Sequence, residues 1–163
     1  MADAREKKLA QLLVNYSVKL QKGESCLINA IDLPLSMVEE LIGAVYAAGG
    51  YPLVNYSSIS IDRALIKDAS KESLALWADC DAYRMDKVDA FIGIRGIVNP
   101  RELATLGEAN RNYALYYDTP VHHDIRIVKT RWVVTRYPTP LMAYQGGMSL
   151  KEMEDFFYSV TVG

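Results

Sequence analysis

VDAFIGIRG, residues 88–96, is the stretch on which the fold turns. It is apolar, rich in residues that favour extended backbone, and ends at a glycine, so it reads as a strand. Upstream, two helical stretches are expected near 60–68 and 71–84, the second carrying Leu74, Leu76 and Trp77. Before them, YPLVNYS (51–57) and SCLINAI (25–31) are apolar runs of strand length. Between those two, Asp32 and Pro34 mark a helix start, and Leu35, Val38, Leu41, Ile42, Val45 and Tyr46 fall on one face before Gly49-Gly50. An opening helix over 4–20 follows from Asp3 with Glu6 as a capping box and from the spacing of Leu9, Leu12, Leu13, Tyr16 and Leu20. Downstream, Asn99-Pro100-Arg101-Glu102 opens a further helix and RWVVTRY (131–137) is a fourth strand. The stretch 113–130 reads as either an extra edge strand or an excursion from the sheet.

Strands alternating with helices specify an α/β fold: an open, mainly parallel sheet of about four or five strands with helices on both faces. The order 2-1-3-4 is expected. The whole of 1–163 reads as one α/β domain, since the length suits a single core and no repeat or low-complexity segment divides it.

Composition narrows the function classes. A net charge of -2 offers no basic field for nucleic acid. No apolar run approaches the roughly 20 residues that cross a bilayer, and the N-terminus is charged. A cytoplasmic protein with no membrane or nucleic-acid partner is expected. Cys26 and Cys80 lack CxxC spacing and read as free thiols, and aspartates beside Cys80 disfavour a reactive thiolate.

Few residues suggest chemistry. His122-His123-Asp124 holds the only two histidines, yet adjacent strand residues point apart, which leaves a metal site short of ligands. No G-x-S-x-G elbow is present, and Ser149 with Glu152 is a helix capping box. No catalytic or metal-ligating residue is therefore assigned. The most site-like feature is IGIRGIVNPRE (92–102), beyond the carboxyl end of a strand, where open α/β sheets bind ligands. There Gly93 and Gly96 permit close backbone approach, and Arg95 and Arg101 can pair with a carboxylate or phosphate. The candidate ligand-facing rim is Asp32, Arg95, Gly96, Asn99 and Arg101. Clustered aromatics make Tyr113, Tyr116, Tyr117, Phe156 and Phe157 a candidate interface.

Three stretches carry a resemblance: KKLAQLLVNYSVKLQKGE (7–24), AVYAAGGYPLV (44–54) and, most specifically, KTRWVVTRYPTPLMAYQGGMSLKEMEDFFYSV (129–160). In the last, Arg131-Trp132, Tyr137-Pro138-Thr139-Pro140, Met142-Ala143 and Glu154-Asp155-Phe156 match a family pattern. On these residues the chain resembles the N-terminal domain of the thermophilic leucyl aminopeptidase family of metal-dependent peptidases. The resemblance implies a cytoplasmic, homodimeric, two-domain enzyme that releases N-terminal amino acids from peptides. It also implies two divalent metal ions, such as cobalt or zinc, that activate water. The family's Glu, His, Tyr and Asp ligands belong to a second domain, so none of the 163 residues inherits a ligand role. Residues 149–163 correspond to the start of the junction with that domain. The chain alone is expected to be inactive; the alternatives are a stand-alone small-ligand module using the rim near Arg95 and Asn99, or a structural α/β partner.

Overall fold

A computed structural model describes residues 3–163. Its strands are β1 (Ser25–Ile31), β2 (Tyr51–Ser57), β3 (Ala90–Arg95) and β4 (Arg131–Arg136). They form one parallel sheet in the order β2-β1-β3-β4, the order expected from the sequence. Its helices are α1 (Ala4–Leu12), α2 (Leu35–Ala47), α3 (Ile59–Lys67), α4 (Lys71–Lys87), α5 (Glu108–Tyr113), α6 (Ile127–Lys129), α7 (Pro140–Gln145) and α8 (Leu150–Thr161).

Both sheet faces are covered, which is why β1 and β3 carry apolar residues on both faces rather than alternating. Cys26, Ile28 and Ala30 of β1 with Ala90, Ile92 and Ile94 of β3 meet α1, α2 and the α8 residues Phe157 and Tyr158. On the other face, Leu27 and Phe91 meet Ala78 and Met85 of α4 and Tyr117 and Val121 of the helix beyond. Burying a side chain such as Ile28 or Ile92 contributes about 1.5–3 kcal/mol.

Several local expectations are corrected. Residues 113–130 are neither strand nor excursion. They continue α5 through a widened, π-type helix, Ala114–Arg126, into α6. Pro120 lies inside it and has no N–H to donate, which disfavours regular α-helical bonding there. Tyr113, Tyr117, Val121 and Ile125 recur every four residues and turn inward onto the second face.

The segment at Asn99 does not open a helix directly. Asn99 Oδ1 accepts from the Arg101 N–H at 3.1 Å and its Nδ2 donates to Glu102 Oε1 at 2.9 Å. These local bonds close a turn, and only a short 3₁₀ turn, Ala104–Leu106, precedes α5. Asp32 does not cap α2; its Oδ2 instead accepts the Ile59 N–H of α3 at 3.1 Å. On α2 the inward stripe is Met37, Val38, Leu41, Ala44 and Val45, while Leu35 and Tyr46 face solvent.

The opening helix is α1 followed by a π-type turn, Leu13–Ser17, with Tyr16 exposed. Glu6 makes no capping box. It is 2% exposed, and its Oε1 accepts the Tyr137 hydroxyl at 2.6 Å. The capping box at Ser149 is present in both halves: Glu152 N–H donates to Ser149 Oγ at 3.3 Å and Ser149 N–H to Glu152 Oε2 at 2.7 Å.

Candidate functional site

Strand pairing places Ser57, Ile31, Arg95 and Arg136 in one row at the carboxyl end of the sheet. Ligands of open α/β folds settle at this end because loops and helix starts converge there. The row divides the rim into two parts of opposite character.

On the β3–β4 side, Arg95 and Arg136 stand opposite one another on adjacent strands. Among the described residues no carboxylate comes within ion-pair reach of either guanidinium. Like charges in register repel, and an anion placed between them relieves that. They line a cleft of about 300 Å³ with Ile97, Pro100, Val134 and Met142. Arg101 and Asn99, expected as partners of Arg95, do not line this cleft; Arg136 does. The signal for Arg136 was its place at the end of strand four, readable only once that strand is paired with β3.

Gly96 lies beside Asp32: its N–H donates to the Ile31 carbonyl at 2.8 Å, and a Cβ there would stand 2.4 Å from the Asp32 carbonyl oxygen. Asp32 itself adopts φ 52°. The glycine therefore serves the close approach of two loops. Asp32 and Gly96 are brought together; Asn99 is spent on its own turn.

On the β1–β2 side, a second cavity of about 200 Å³ lies over Asn29 and Asn55. Asp62 and Asp81 line it, as do Trp77, Tyr113 and Tyr117. Burial pushes both phenols up, and for Tyr117 its hydroxyl's donation to Asp81 adds to this. His122 reaches the same cavity from the widened helix. Burial pushes its imidazole down to about 4, and Nδ1 accepts from Arg126 Nε at 2.9 Å. His123 turns away, its Nε2 3.3 Å from Asp118. Among the described residues no group of three or more His, Cys, Asp and Glu side chains could hold a metal ion, so the residues present do not fit a metal pair.

Of the aromatic candidates, Tyr113 and Tyr117 spend their rings on the internal cluster with Trp77. Tyr116 is half-buried beneath Lys71. Phe157 lies in the main core at 9% exposure, whereas Phe156 is 52% exposed. Cys26 is buried and Cys80 exposed, both free, and burial pushes the Cys26 thiol up to about 12. No helix among the described residues is long and apolar enough to cross a membrane.

The fold is similar to that of wild-type AmpT from Thermus thermophilus, with a TM-score of 0.74 at 21% identity. The match covers 98% of this chain and 43% of that one, so the chain spans less than half of AmpT's length. A CurK enoyl reductase structure also aligns, over 94% of this chain and 48% of its own, at 10% identity and TM-score 0.38; at that score it carries no argument. No curated protein matches the chain. The model of the thermophilic metalloprotease family, M29, matches residues 2–162, and the chain belongs to that family.

Proposed function

We propose that these 163 residues act as the α/β domain of a metal-dependent aminopeptidase and that its metal ligands lie outside them. The observation that carries this reading is coverage: almost the whole chain aligns with AmpT, yet it accounts for 43% of that protein. In such an enzyme the paired metal ions supply an activated water and stabilise the tetrahedral intermediate. The domain's part is to shape and cover the cavity in which that happens. A homodimeric, cytoplasmic peptidase acting on peptide N-termini belongs to the same reading.

The test is hydrolysis of leucyl-p-nitroanilide by the pure chain with added cobalt or zinc. Release of p-nitroaniline no faster than in a metal-only blank is expected, and turnover proportional to protein concentration would overturn the reading.

A second reading rests on the unpaired Arg95 and Arg136 in their cleft. In it the rim is a stand-alone site for a small carboxylate or phosphate. Thermal-shift measurements with millimolar dipeptides and nucleotides check it; a melting point unmoved by all of them counts against it.

A further inference from the structure

The cavity on the β1–β2 side belongs to neither reading. Its floor is an amide pair, Asn55 Nδ2 donating to Asn29 Oδ1 at 2.8 Å. Part of its wall is a ring cluster: Tyr117 lies 4.2 Å from Trp77 and 4.9 Å from Tyr113, centroid to centroid. The volume, about 200 Å³, is that of about six or seven waters, or of a small organic molecule.

The charges that line it do not balance. Asp81 is answered on both oxygens, by Arg84 Nη2 at 2.9 Å and by the Tyr117 hydroxyl at 2.5 Å. Asp62 is answered on one, by the Ser57 hydroxyl at 2.6 Å. Among the described residues no donor reaches Asp62 Oδ2, and no cation comes within ion-pair reach of this carboxylate. Burial pushes the Asp62 carboxyl up, the Ser57 hydrogen bond opposes this, and the Asp32 carboxylate nearby adds to the negative field rather than relieving it. His122 contributes no positive charge near neutrality because burial disfavours its charged form. Beyond the lining, Asp32 and Asp118 add negative charge and Arg95 and Arg126 add positive charge, so four carboxylates stand against three guanidiniums and one negative charge is left over in a partly desolvated space. The place of Asp62 in the first turn of α3 tolerates this charge without neutralising it.

We propose that this cavity binds a small organic cation, a primary ammonium on a short apolar body, with the ammonium on Asp62 and the body against Trp77, Tyr113 and Tyr117. An anion is repelled by the surplus charge, and a neutral ligand leaves Asp62 uncompensated. A bare divalent ion finds no three-ligand set among the described residues. An ammonium answers the free carboxylate oxygen, while aromatic faces favour both a cation and an aliphatic body.

The test is a titration of the 163-residue chain with isobutylamine near pH 7, followed by the indole N–H resonances. Trp77 lines the cavity, and Trp132, on β4, is an internal control. A ligand of this size is expected to bind with a Kd on the order of millimolar. The Trp77 resonance should move saturably, with isovalerate and isobutanol at least tenfold weaker. Asp62→Asn should weaken the amine at least tenfold, and Asp124→Asn, on an exposed residue outside the cavity, should not. Equal binding of isobutylamine and isobutanol, no saturable shift, or unchanged affinity in a folded Asp62→Asn variant each overturns the proposal. Should that variant fail to fold, the comparison of the three probes on the native chain decides alone.

Discussion

At the scale of single residues, Gly96 and His122 carry the sharpest consequences. A methyl group at position 96 meets the Asp32 carbonyl oxygen, backbone that cannot swing aside as a side chain does. Gly96→Ala is expected to cost about 1–3 kcal/mol, the usual range for overpacking, read as a lower urea midpoint at unchanged slope. His122 is depressed by burial to about 4 in the folded chain, against about 6.5 when unfolded. The unfolded chain therefore takes up this proton first as pH falls. The stability linked to neutral His122 is fully present above about pH 6.5 and is lost as pH falls toward 4, with a slope of up to about 1.4 kcal/mol per pH unit. Urea midpoints measured from pH 7 to 5 should decline in the native chain and flatten in His122→Gln, since carboxylates dominate only at lower pH. Little of this was legible beforehand. The His122-His123-Asp124 triplet drew attention as a metal motif, and its helical setting, with one imidazole inward and one outward, separates its members.

At the scale of elements, α8 combines a local and a tertiary contribution. Ser149 and Glu152 close its N-terminus reciprocally, so Ser149→Ala should cost about 1 kcal/mol. Phe157 packs into the main core and Phe156 faces outward. Phe157→Ala should therefore cost about 3–5 kcal/mol, and Phe156→Ala about 0.5 kcal/mol or less; thermal unfolding of the pair measures the difference. The capping box could be read from S-x-x-E alone because both partners lie within one turn. Which phenylalanine turns inward could not, since adjacent helical positions differ only in what the rest of the fold sets against them. The widened helix after α5 teaches the same lesson from the other side. Its four-residue stripe was present in the letters, but Pro120 disfavours a regular helix, and only packing on Phe91 and α4 makes the irregular one worth forming.

At the scale of the molecule, coverage of both sheet faces gives the α/β body a core on each side of its sheet. On the proposed division of labour, a chain whose described residues assemble no metal-ligand group gains no stability from a divalent ion. Its melting temperature should thus be the same, within about 1 °C, in chelator and in millimolar cobalt or zinc. A rise of several degrees with metal would instead locate a ligand set within these 163 residues and sink the proposed division of labour. The two rim regions remain separable in experiment: the Arg95–Arg136 cleft answers to anions and the Asp62 cavity to amines.

The sequence by itself determined the α/β class, a mainly parallel sheet of about four or five strands and the family, because these follow from hydrophobic period, short-range capping and a long matching stretch; the order 2-1-3-4 was one of the few that right-handed crossovers allow, and strand pairing selected it. Only the tertiary structure decided how the rim is built. It set Arg136 beside Arg95, turned Asp32 from its own helix to α3, and buried Tyr113 and Tyr117 around Asp81 and Asp62. Each of these depends on residues far apart in the chain. Strand register and helix packing bring them together, and neither is written in local spacing.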